Sequence, residues 1–139
     1  MKIVEFLDFL PSNFRHEKSF FIQHNLTDFE KLSHLSDLDI NEIQRKSQLC
    51  TLNNLRKIRA IAIFKKEISI SPSEAYLLLH CGIGSIKSLS LSTPYELEGK
   101  IRRLERILRV KTETEITFAL LKKWIERAKQ ICKSIWNLG

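Results

Sequence analysis

The stretch Leu79-His80-Cys81-Gly82-Ile83-Gly84-Ser85-Ile86-Lys87 sets one apolar residue between two glycines, with helical sequence on either side. Gly82 can take the positive φ that ends a helix, Ile83 can plug the core under the turn, and Gly84 lets an outside group come close to the backbone. The N–H groups of Gly84, Ser85 and Ile86 are then expected to face outward at a helix start, where free donors and the helix dipole attract an anion. The chemistry this arrangement offers is the holding of a phosphate by main-chain donors.

Basic side chains follow. Lys87 lies one turn on, and the helix opening at Pro94 carries Lys100, Arg102, Arg103, Arg106 and Arg109 with Glu105 among them. Arg102, Arg106 and Arg109 share a face at i, i+4 and i+7, opposite Ile101, Leu104 and Leu108. The last helix adds Lys122, Lys123, Arg127, Lys129 and Lys133 against Glu126, and the first half holds a smaller cluster, Arg45, Lys46, Arg56, Lys57 and Arg59. Of the net charge of +7, residues 1–40 carry −3, four basic against seven acidic side chains, so the rest of the chain carries +10. A field of that sign attracts polyanions, nucleic acid before an anionic membrane surface. The plainer reading of each charged face is a solvated surface.

Other chemistries find little footing. No phosphate loop ending in Lys-Ser/Thr, no H-E-x-x-H and no G-x-S-x-G occurs. His16, His24, His34 and His80 are scattered without a cysteine or carboxylate at metal-ligand spacing, so no metal and no cofactor is expected. Cys50, Cys81 and Cys132 form no C-x-x-C pair and sit among apolar neighbours, as small core residues of a protein in the reducing cytoplasm would. Met1–Asp8 has no long uncharged run, and no stretch approaches the length of a membrane span.

The elements that must position these residues are helical. Thr27-x-x-Glu30, Ser71-x-x-Glu74 and Thr93-x-x-Glu96 read as capping boxes, Pro72 and Pro94 stand at first helical positions, and Thr112-x-x-Glu115 offers a fourth start. Apolar residues recur at three and four residue steps in Leu52, Leu55, Ile58, Ala62, in Ile101, Leu104, Ile107, Leu108, and from Phe118 through Leu121, Trp124, Ile125, Ala128, Ile131 and Cys132 to Ile135. Laying residue n on n+57 superposes Phe20-Phe21-Ile22 on Leu77-Leu78-Leu79, Asn25-Leu26 on Gly82-Ile83, Phe29 on Ile86 and Leu32 on Leu89. An insertion of nine residues around 109–117 then brings Leu55-Arg56-Lys57-Ile58 onto Leu121-Lys122-Lys123-Trp124. Each half reads as helix, tight turn, short helix, loop, helix and a longer basic helix, with Ile68-Ser69-Ile70 as the connector.

With its Gly82-Ile83-Gly84 turn, the segment from Tyr76 to about Leu97 resembles the helix-hairpin-helix modules, whose glycine-bracketed hairpin grips a backbone phosphate. Phe20–Ile40 is similar more loosely. The hairpin followed by Thr93-Pro94-Tyr95-Glu96-Leu97 also looks like the C-terminal domain of the bacterial RNA polymerase α subunit, and the whole chain looks most like an uncharacterised bacterial family of tandem helix-hairpin-helix proteins. Glycosylases of that kind place an aspartate after the hairpin, whereas the stretch after Gly84 has Lys87 and no aspartate, so an enzyme is not expected. The expected fold is all-α, with two tandem helix-hairpin-helix-type units, residues 1–67 and 68–139, packed into one compact helical domain. The expected function is sequence-independent nucleic-acid binding in the cytoplasm, DNA before RNA, through Gly82, Ile83, Gly84, Ser85, Lys87, Lys100, Arg102, Arg103, Arg106, Arg109, Lys122 and Lys123. The alternative is a protein-interaction module docking through the acidic first unit, whose turn is Asn25-Leu26-Thr27, or through the Trp136 region. Oligomeric state stays open.

Overall fold

Side chains fix where most of the helices begin. The structure, a computed structural model, describes residues 7–108 and 115–138, and it is all-helical. Two 3-10 turns, Leu7–Phe9 and Ser12–Phe14, lead into α1 (Arg15–Gln23), α2 (Phe29–Ser33), α3 (Asp37–Lys46) and α4 (Leu52–Ile68). Then come α5 (Pro72–His80), α6 (Ile86–Ser90), α7 (Pro94–Leu108) and α8 (Phe118–Leu138). The chain divides into two compact units, Met1–Glu67 and Ile68–Gly139.

Ser71 and Glu74 form the expected capping box at α5, with Pro72 at the first helical position. Two boxes carry no Glu at all: Ser36 with Asp39 at α3, and Ser85 with Ser88 at α6. At α2 the cap is Asp28, whose carboxylate accepts from Glu30 N–H at 2.9 Å, and not the expected Thr27. Thr117 Oγ1 accepts from Leu120 N–H at 3.2 Å as α8 begins, whereas the start expected at Thr112 lies outside the described residues.

The four helices of the two units correspond. The first three of each start 57 residues apart (15 and 72, 29 and 86, 37 and 94), and the fourth start 66 apart (52 and 118), so the extra nine residues fall after the start of the third helix, part of them lengthening α7 and the rest the link to α8. The turn after the first helix repeats bond for bond. Leu26 N–H donates to Phe21 O at 2.8 Å and Asn25 N–H to Ile22 O at 3.3 Å; in the second unit Ile83 N–H donates to Leu78 O at 2.9 Å and Gly82 N–H to Leu79 O at 3.0 Å. These are the paired bonds of a Schellman helix end, and the residue they force into the left-handed region is Asn25 (φ 57°) in one unit and Gly82 (φ 86°) in the other.

In the first unit Phe14, Phe21, Leu32, Ile40, Leu55, Ile58 and Phe64 are buried; in the second, Ile70, Leu77, Leu78, Leu89, Leu97, Leu121 and Trp124. Each such side chain contributes about 1.5–3 kcal/mol on leaving water. Several expected core positions differ. Ile107 is 66% exposed, because it lies about 90° round α7 from the line of Leu97, Ile101, Leu104 and Leu108. The α8 stripe is buried only from Leu121 to Ala128, with Phe118 and Ile135 exposed. Cys50 is buried, but Cys81 and Cys132 are only half-buried.

Candidate functional site

The second unit's hairpin sets its own geometry. Gly82 ends α5 at positive φ, a conformation that a Cβ disfavours. Ile83 is buried beneath the turn and spends its N–H on Leu78, so it supports the loop from below. Gly84 is exposed, and a Cβ added there would meet Leu79 Cδ2 at an ordinary 3.6 Å, so its openness faces outward. Of the three N–H groups expected to be free, Ser85's is taken: it donates to Ser88 Oγ at 3.1 Å, while Ser88 N–H returns a bond to Ser85 Oγ at 3.0 Å. Among the described residues the N–H groups of Gly84 and Ile86 meet no acceptor.

Cations stand on the three helices that follow this loop. Lys87 is exposed on α6. Lys100 on α7 is close enough to the end of α5 for its charge to act on Cys81: burial pushes the Cys81 thiol up, and the Lys100 ammonium pulls it back down. Within the unit α8 packs on both α6 and α7, and α7 packs on α5. Cys132 Sγ donates to Ser90 Oγ at 3.7 Å, tying α8 to α6. Arg103 and Arg106 on α7 and Lys122 and Lys123 on α8 are exposed. None of these six cations is in an ion pair among the described residues. Arg102 differs, because it reaches Glu98 one turn back at 3.3 Å. Arg109 and the Trp136 side chain lie outside the described residues.

The first unit spends its charges internally. Arg59 donates to Leu35 O at 3.1 Å and pairs with Asp37 at 2.9 Å; Arg45 meets both oxygens of Glu42; Lys18 pairs with Asp8. The cationic cluster expected there is thus partly neutralised. Its turn has Thr27 and Asp28 where the other has Gly84 and Ser85, so a carboxylate stands where the second unit has a serine. A cleft of about 350 Å³ does open in this unit, lined by His16, Ser19, Phe20, Gln23, His24, Lys46, Ser47 and Leu49. Phe20 and His24 stack inside it at 4.0 Å between centroids.

Two residues are given no role by the sequence: Tyr95, which stands there only as part of a helix start, and Gly99, which fits no motif. Tyr95 is 81% exposed in the first turn of α7, and Gly99, one turn later, has nothing within 4 Å of where a Cβ would stand. The signal was a glycine in the middle of an otherwise strong helix.

No helix among the described residues is long and apolar enough to cross a membrane, and none of them form a group of three metal-ligating side chains. The family described as a domain of unknown function (DUF4332) matches residues 11–131, and the chain belongs to that family. No curated protein and no solved structure matches it.

Proposed function

We propose that this family member is a non-enzymatic nucleic-acid-binding protein whose second unit, a helix-hairpin-helix-type module, holds the sugar-phosphate backbone without reading sequence. The observation that carries this is the set of six exposed cations without an acidic partner among the described residues, on α6, α7 and α8 of one unit, with Lys100 close enough to the hairpin for its charge to act on Cys81. Phosphate contacts position a protein on nucleic acid but carry no base information, and this loop brings few side chains able to reach a base edge. Gly84 and Ile86 N–H groups add two main-chain donors at the start of α6. DNA is the preferred partner.

The test is a salt titration of binding to duplex DNA. Each phosphate neutralised contributes about −0.9 to the log-log slope. Arg103→Glu with Arg106→Glu is expected to lower affinity at least about tenfold and to flatten that slope by about two units. Gly84→Asp, which the fold accommodates, places a carboxylate at the loop and is expected to weaken binding similarly. Binding that is absent at low salt, or indifferent to all three changes, overturns the proposal.

A second reading has its own observation: the first unit exposes Leu38 (80%) on α3 and Leu49 in the lining of its cleft. Such a surface suits a protein partner. A stoichiometric complex that survives nuclease treatment and is broken by Leu49→Glu supports that reading over the first.

A further inference from the structure

The outer face of α7 has a feature that neither the fold nor phosphate contact accounts for. Gly99 lies inside a fifteen-residue helix, where glycine is the least favourable residue short of proline. Neither backbone nor packing asks for it: its φ is not in the positive range, and a Cβ there meets no atom within 4 Å. Tyr95, Gly99, Arg102 and Arg106 follow one another at i, i+4, i+7 and i+11, a single exposed stripe about 16 Å long opposite the buried Leu97 and Ile101.

Helical side chains lean toward the N-terminus, so residue i+4 normally covers residue i. With no side chain at 99, the i+4 position leaves Tyr95 uncovered, in keeping with its 81% exposure, and Arg102 and Arg103 stand three and four residues beyond the bare position. Arg102 is steadied there by Glu98. The result is a notch in the stripe, bare helix backbone between the positions of a phenol and two guanidinium groups.

We infer that this notch takes an unstacked base of a single-stranded nucleic acid, its ring against Tyr95 and its flanking phosphates along Arg102, Arg103 and Arg106. The inference rests on the nucleic-acid reading above and narrows it. A planar ring fits the space of a missing side chain, and a polyanion matches the arginines that border it. A duplex keeps its bases inside the stack and cannot offer a free ring face to a helix, so the occupant is a single strand.

The experiment measures fluorescence anisotropy of a labelled oligothymidylate and of a duplex of equal length, with the full chain at low salt. Tyr95→Ala and Gly99→Leu are each expected to weaken the single strand about tenfold and the duplex less than about twofold, and Tyr95→Phe to bind as the parent does. Gly99→Leu is also expected to raise the melting temperature, so that its loss of binding is not a loss of fold. If both strands weaken equally, the face touches phosphates only and the base notch is wrong. If neither Tyr95→Ala nor Gly99→Leu has an effect while Gly84→Asp still does, the notch is unused and nucleic-acid binding stands. If the parent protein binds neither strand, both readings fall together.

Discussion

Glu17 is the residue that ties the first unit together. It is 1% exposed, and its carboxylate accepts from Thr51 N–H at 2.8 Å and from Asn54 Nδ2 at 3.3 Å, so a side chain of α1 satisfies the start of α4. A buried carboxylate is tolerable because those donors replace water. Hydrogen bonds to a charged group contribute about 1.5–3 kcal/mol, and Glu17→Ala is expected to lose about 2 kcal/mol in urea unfolding, with Glu17→Gln losing about half. An equal loss from both changes, or none, contradicts this role. The residue 57 later, Glu74, is also buried, but there it caps its own helix with Ser71. One position thus keeps a buried acid in both units.

Among the elements, α3 shows how much its start depends on one acid. The Ser36 backbone N–H, and then the Ser36 hydroxyl, hold the Asp39 carboxyl below the usual carboxylate range. A carboxyl lowered in the folded state stabilises fully above its unfolded value, and that contribution is lost as pH falls through the folded one. The melting temperature of the parent is therefore expected to exceed that of Asp39→Asn near neutral pH, with the gap closing in acid. A gap that widens toward low pH contradicts the box. The helices themselves were legible because Ser71, Pro72, Pro94 and the three and four residue apolar steps are local signals. The choice of Asp28 over Thr27 was not. The Schellman bonds run through Leu26, so one linking residue, Thr27, remains before the cap, and a capping pattern of residue types does not register where the preceding helix end leaves off. Ile107 was misplaced for a related reason: a three-residue step from Leu104 fits a helical count while drifting off the buried line. In the candidate site, Gly82 and Ile83 could be read from their types, but Ser85's engagement with Ser88 and Arg102's with Glu98 depend on rotamers that composition does not specify.

At the scale of the whole molecule the two units differ mainly in what they do with charge. The first pairs Arg59, Arg45 and Lys18 with carboxylates, whereas the second leaves Lys87, Lys100, Arg103, Arg106, Lys122 and Lys123 without ion pairs among the described residues. The second unit also has the longer third helix: α7 reaches Leu108, while α3 ends at Lys46, the counterpart of Arg103. Arg106 therefore stands on a turn that the first unit lacks. A field built this way acts over about a Debye length, so it draws in a polyanion at low salt and fades steeply as salt rises.

The constant spacing of the two turns supplies every substitution with a built-in control. Rewriting Asn25-Leu26-Thr27 as Gly-Ile-Gly transplants the loop onto a frame whose backbone bonds already match it, so the chimera is expected to fold as the parent does. If the loop alone confers grip, a second binding event appears in the titration. If the cations of α7 are needed as well, stoichiometry stays at one, and that is the expected result, because the recipient turn faces Asp28 and Glu30 where the donor has Ser85 and Lys87. A molecule that carries the same turn twice, in opposite electrostatic settings, separates what a backbone shape does from what its surroundings do.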